Sequence, residues 1–201
     1  MSREIRLTSR KESSKNCRKV FLIVCEGSKT EPCYFSSFRI PKRIVDIEGL
    51  GANTGSVVDE AIRLSQLNTY NEIWCVFDRD SFKRQAVNSA IEKALKNGLK
   101  VAFSNESFEL WYVLHFCYLD GELNRQQYCE KLNGFLSGEY EKNSSQMYER
   151  LLERQPTAIK NAKLLEKKII NQSWANRIPY TGVHVLVQRL NKFAQKYSRN
   201  L

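Results

Sequence analysis

The feature that most constrains this fold is a recurring one: short, unbroken apolar runs that stop abruptly at charged or polar residues. KVFLIVCEG (Lys19 to Gly27), EIWCVFDRD (Glu72 to Asp80) and LKVAFSN (Leu99 to Asn105) share that form. Such a run has no polar face to show to water. As a strand it must be covered on both sides, which is the situation of strands in a parallel sheet. Helical segments separate the runs. TEPCYFSSFRI opens with Thr30 as the predicted N-cap and places Pro32 in the first turn. GANTGSVVDEAIRLSQL predicts a cap at Thr54 and a helix to about Leu67. A further helix is expected over 84–97, closed by Gly98, and another over ESFELWYVLHF. A weaker strand is expected at 43–47. This alternation implies βαβ units and an α/β fold whose mostly parallel sheet has about four strands flanked by helices.

Past Asp120 the apolar positions recur at helical spacing, predicting helices over 124–136, 144–153, 157–170 and 183–197 and no further strand. The expected organisation is a basic arm at 1–18, an α/β core over 19–120, and a helical region over 121–201 packed on that core.

Composition narrows the function. No stretch approaches the ~18 apolar residues of a membrane span, and the polar, basic start has no apolar leader, so a cytoplasmic protein without membrane attachment is expected. The six cysteines include no C-x-x-C pair and fit no zinc spacing; reduced thiols are expected. The net charge of +10 suits a polyanionic partner, and residues 1–19 hold seven Lys/Arg against two Glu. There is no G-x-x-x-x-G-K-[ST] and no dinucleotide fingerprint, and two histidines at 115 and 184 exclude H-E-x-x-H.

In an open parallel sheet, ligands gather beyond the carboxyl ends of the strands. The residues in those positions here are Glu26 and Gly27, then Glu31, after the first run; Asp78, Arg79 and Asp80 after the third strand; and Ser104, Asn105, Glu106 and Glu109 after the fourth. Carboxylates clustered so closely repel one another unless a cation compensates. A hard, oxygen-preferring ion such as Mg2+, or Mn2+ in its place, fits them. Asp78 and Asp80 share a face of a regular strand and could reach one ion together. Glu26 could act as a metal ligand or a general base. Each motif alone is commonplace: D-x-D at a strand end is more often a turn or cap than a metal site. The combination at neighbouring strand ends carries the reading. Glu109 stands one helical turn beyond the fourth strand, whereas His115 points roughly 120° away from it by helix geometry, which suits a hydrogen-bonded structural role at least as well as a catalytic one.

The Glu-Gly after the first strand and the later D-x-D resemble the Toprim signature of topoisomerases, primases and overcoming-lysogenization-defect nucleases. Through VCEGSKTEPCYF, CVFDRD, SNESFELWYVLHF, PTAIKNAK and TGVHVLVQRL, nearly the whole chain resembles the RloB-like proteins of bacterial restriction and abortive-infection loci. The resemblance implies a Toprim-like fold and Mg2+-dependent phosphodiester chemistry. It casts Glu26 as base or ligand, Asp78 and Asp80 as metal ligands, Glu31 as a second acidic position, and Glu109 as a catalytic candidate. The family commonly has Pro-Cys after Ser-Asn, where this chain has Glu106-Ser107. Lys29, Arg79, Asn105 and His115 are the candidate substrate contacts. The expected substrate is nucleic acid, RNA before DNA and tRNA among RNAs, with an ATPase encoded nearby as partner and self-association left open. The rival reading is a non-catalytic adaptor that binds nucleic acid or that ATPase.

Overall fold

The computed structural model describes residues 20–51, 53–79, 83–136 and 138–198. The basic arm expected at 1–18 and the candidate ligand Asp80 lie outside these residues.

Strands β1 (Phe21–Cys25), β2 (Val45–Gly49), β3 (Glu72–Asp78) and β4 (Lys100–Asn105) are parallel, and β5 (Tyr180–Thr181) closes the sheet antiparallel, in the order β2-β1-β3-β4-β5. The unbroken apolar runs behave as their composition demands. Every residue of β1 is fully buried, Phe21, Ile23 and Cys25 in one apolar cluster and Leu22 and Val24 in the other. Trp74 and Val76 of β3 face the first cluster, Cys75 and Phe77 the second. Alternate side chains leave a strand on opposite faces, so the middle of a strand covered on both faces has no position for a polar residue.

The two faces are covered by different parts of the chain. Helices α2 (Thr54–Leu67) and α3 (Arg84–Lys96) cover one, with Val57, Val58, Ala61, Val87, Ile91 and Ala94. The other is covered by α1 (Thr30–Ser36), α4 (Glu109–Val113) and the helical C-terminal half: α5 (Arg125–Leu136), α6 (Met147–Leu151), α7 (Gln155–Ile169) and α8 (Val183–Ser198). Tyr128, Leu132, Leu151, Ala158, Ala162, Leu165, Val183 and Leu186 therefore share one cluster with Phe21 and Trp74. This is the α/β architecture expected, and it agrees with a Toprim-like arrangement.

Four local expectations are corrected. The sheet has a fifth strand, β5: two residues are too few to show periodicity, and their pairing with Ser104 and Asn105 depends on a contact across 77 positions, between the Ser104 and Thr181 hydroxyls at 3.1 Å. Strand β2 starts two residues later than expected because Pro41 to Ile44 close a turn, the Ile44 N–H donating to the Pro41 carbonyl. Each of the two predicted caps is in fact the first helical residue. Asn53 caps α2, its side chain accepting from the Ser56 N–H at 3.0 Å, and Lys29 precedes α1 with no side-chain cap. Helix α4 is a short segment within SNESFELWYVLHF rather than a full helix. Gly98 does close the region after α3, at φ +72°.

Candidate active site

The chain runs from β1 to β2 on one side and then crosses to β3 on the other, so the strand order reverses between β1 and β3. Beyond the carboxyl ends of such a pair a crevice opens. Here it is a cavity of about 490 Å3 lined by Glu26, Glu31, Asp78 and Glu109 together with Lys29, Arg125 and Lys142. That volume is within the range of small-ligand clefts.

Each acidic group is placed by a different element. Glu26 follows β1, and its Oε2 accepts the Asp78 N–H at 3.0 Å and the Thr54 hydroxyl at 3.5 Å. Thr54, released from the capping role by Asn53, thus ties α2 to the site. Glu31, in the first turn of α1, folds back over Gly27: a Cβ at Gly27 would lie 2.0 Å from Glu31 Oε2, so only glycine leaves room for that carboxylate. Asp78 ends β3. Its Oδ2 accepts from the Phe108 N–H at 3.1 Å and from Arg125 Nη2 at 3.0 Å. Glu109 opens α4; the Tyr140 hydroxyl donates to its Oε1 at 3.4 Å, and Arg125 Nε stands 3.7 Å from its Oε2, an ion-pair rather than a hydrogen-bond distance.

The electrostatics are unbalanced. Glu31, Asp78 and Glu109 are all at least nine-tenths buried, at 6%, 6% and 2% exposure. Burial raises the Asp78 pKa well above the usual carboxylate range; Glu31 and Glu109 raise it further, and Arg125 and the Phe108 N–H only partly offset them. Burial likewise raises Glu31, with Glu109 adding to the shift, against lowering by its own backbone hydrogen bond, Lys142 and Arg125. The Tyr140 phenol is pushed up by burial and by Glu109. Glu31 Oε2 is buried in the cavity without a hydrogen-bond donor. A buried carboxylate oxygen with no donor is costly unless a cation completes it. Among the described residues no three acidic, imidazole or thiol groups already converge on one ion. Arg125 spans Asp78 and Glu109, and the candidate ligand Asp80 lies outside the described residues. The donor set is all oxygen, which fits Mg2+ or Mn2+.

The structure brings together Glu26, Glu31, Asp78, Glu109 and Lys29. It does not place Arg79, Asn105 or His115 in the cavity wall. The Asn105 amide is fully buried and donates to the Ala175 and Arg177 carbonyls at 3.3 and 2.9 Å, which holds the approach to β5. His115 Nδ1 lies 2.9 Å from the Trp111 carbonyl, and burial lowers its pKa to about 4. Glu106, joined to Asn105 by a cis peptide, is not a lining residue either. Sequence reasoning missed Arg125, Lys142, Tyr140 and Thr54. The first three come from the helical half, where no local motif marks them. The five described cysteines are free thiols, and burial raises Cys75 to about 12.

Fold and site thus define an α/β protein with a carboxylate-lined cleft at its switch point. The sequence model of the RloB-like protein family matches residues 21–190, and the chain belongs to that family. No curated protein and no solved structure matches it. No helix among the described residues is long and apolar enough to cross a membrane.

Proposed function

We propose that this protein is a divalent-metal-dependent nuclease that hydrolyses phosphodiester bonds, RNA before DNA, as an effector of bacterial phage defence. The observation that carries the reading is the Glu31–Asp78–Glu109 cluster: three buried carboxylates around one cavity, with a single guanidinium between two of them and one oxygen lacking any donor. Glu26, Glu31, Asp78 and Asp80 are the residues that would hold Mg2+ or Mn2+. Such an ion, when bound, supplies Lewis-acid polarisation of the phosphoryl group and a more acidic water.

The chain's own residues do the rest. Glu26 is the general base, its orientation fixed by the Asp78 N–H and the Thr54 hydroxyl. Arg125 is positioned to offset charge that develops at the reacting phosphate. Lys29, exposed at the mouth, meets substrate phosphate. The basic composition supports a polyanionic substrate. The role in defence and the association with a neighbouring ATPase rest on the family's setting in restriction and abortive-infection loci.

The test is calorimetric titration of Mn2+ into the wild type and an Asp78→Ala/Asp80→Ala variant, with and without a short RNA, followed by a cleavage assay. Binding and cleavage in the wild type only are expected. No binding to the wild type even with RNA present would remove the metal site and leave the adaptor.

A further inference from the structure

Lys142 comes to the same cavity from a part of the chain that no motif marks. The loop after α5 is tied down on both sides of it. On one side the Tyr140 N–H donates to Asn133 Oδ1 at 2.6 Å, and the Tyr140 hydroxyl reaches Glu109. On the other the Thr30 hydroxyl donates to Asn143 Oδ1 at 2.6 Å, across 113 positions. Asn143 sits at φ +76°, a left-handed conformation that asparagine tolerates better than most residues. A loop fixed this way holds its middle residue in one place, and that residue is a lysine lining the cavity, brought near Lys29 by the bond between the residues that follow the two.

Lys29 stands at the same mouth, immediately before Thr30. Lys29 and Lys142 are exposed and line the cavity, and among the described residues neither has an ion-pair partner. The acids behave differently: they lie deeper, and Arg125 already engages two of them. The cavity therefore has buried carboxylates at its floor and two exposed ammonium groups at its rim, of which Lys142 also acts on Glu31 through space. A ligand complementary to that pattern places anionic groups at the rim next to a centre at the floor, and a nucleic-acid backbone does so with consecutive phosphates. With the floor carboxylates at 6% exposure or less, a strand must bend inward to reach them, which a rigid duplex resists.

We infer that Lys142 is a substrate-positioning residue which, with Lys29, grips backbone phosphates of a single strand next to the reacting one. The inference rests on the nuclease reading and adds to it a residue and a substrate form. Each lysine contact to a single strand contributes about −0.7 to the slope of log affinity against log salt concentration.

The experiment is fluorescence anisotropy with a labelled mixed-sequence single-stranded RNA and with the same sequence as a duplex, over a salt series, in Ca2+. Lys142→Ala and Lys29→Ala should each weaken single-strand binding about two- to fivefold. Each should also reduce the salt slope by about 0.7. Lys142→Arg should restore the slope, and Lys96→Ala, at the far end of α3, should leave it unchanged. The duplex should bind more weakly than the strand. An unchanged slope in both alanine variants, or equal binding of strand and duplex, overturns the inference and leaves the Mn2+ result standing. Failure of the wild type to bind RNA overturns it together with RNA as the substrate.

Discussion

Glu72 begins β3 and Asp78 ends it, about 20 Å further along the strand. Both carboxylates are largely buried, at 8% and 6% exposure, and the fold treats them in opposite ways. Burial works against Glu72's charge, yet Arg189 and Lys100, with the Trp74 indole N–H, outweigh it and lower its pKa. Lys100 Nζ lies 2.9 Å from Glu72, and Arg189 meets both of its oxygens in a forked contact. At the other end burial raises the pKa values of Asp78 and Glu31, and Arg125 and Lys142, brought by the helical half, only partly offset it. The fold can satisfy a buried acid, and does so at the end where β3 starts. The carboxylates with raised pKa values lie at the end where the topology opens a cavity, which is where perturbed groups mark functional sites.

The comparison can be broken most directly by activity. Asp78→Ala should lower RNA cleavage about a hundredfold or more while leaving the circular dichroism spectrum unchanged, whereas Glu72→Gln should cleave at close to the wild-type rate. An active Asp78→Ala protein would end the assignment of the two ends.

Metal-linked stability comes next. At a hundredfold excess over its dissociation constant, Mn2+ should stabilise the wild type by about 2.7 kcal/mol in thermal melts, and Glu72→Gln equally, but not Asp78→Ala. A gain that survives in Asp78→Ala would place the ion elsewhere. Without metal, Glu72→Gln should cost about 1–2 kcal/mol, a value reduced because both of its cationic partners reach solvent.

The pH dependence sharpens the contrast. With divalent ions chelated, Asp78→Asn should be more stable than the wild type at neutral pH and Glu72→Gln less stable. Asp78's raised pKa means that the fold binds its proton before the unfolded chain does. The penalty for ionising it therefore opens above the unfolded value, about 3.9, and levels off once the pH passes the folded one. Glu72's lowered pKa gives stability present above the unfolded value, about 4.3, and lost as pH falls through the folded one. Both differences should fade in acid, from opposite signs, in urea melts run at a series of pH values. The smallest effect is expected of Gly27→Ala. Its Cβ displaces the Glu31 carboxylate, a movable group, so metal affinity measured by calorimetry should fall severalfold with little loss of stability.

Much of this was legible in the sequence, because covered strands announce themselves. The runs at 19–27 and 72–80 had to be central, and the acids after them had to share an edge. Gly27 was visible as a motif, but the reason for it, the Glu31 oxygen 2.0 Å from a would-be Cβ, was not. Asn105 and His115 misled as substrate contacts because nearness to a strand end in sequence does not say which way a side chain turns: both are spent on backbone carbonyls in the interior. The short strand β5 was invisible for a related reason, since its partner is distant in the chain.

By itself the sequence determined the α/β class and the acids Glu26, Glu31, Asp78 and Glu109 that gather at the strand ends. Those are consequences of local apolar pattern and of a rule about strand ends. Only the tertiary structure decided how the acids are answered: Arg125 between Asp78 and Glu109, Tyr140 on Glu109, Lys142 acting on Glu31, and at the other end Arg189 on Glu72. Cations and acids in these groups are separated by many positions in the chain. Electrostatic energy depends on distance in space and on burial, and neither quantity exists until the helical half has packed on the sheet.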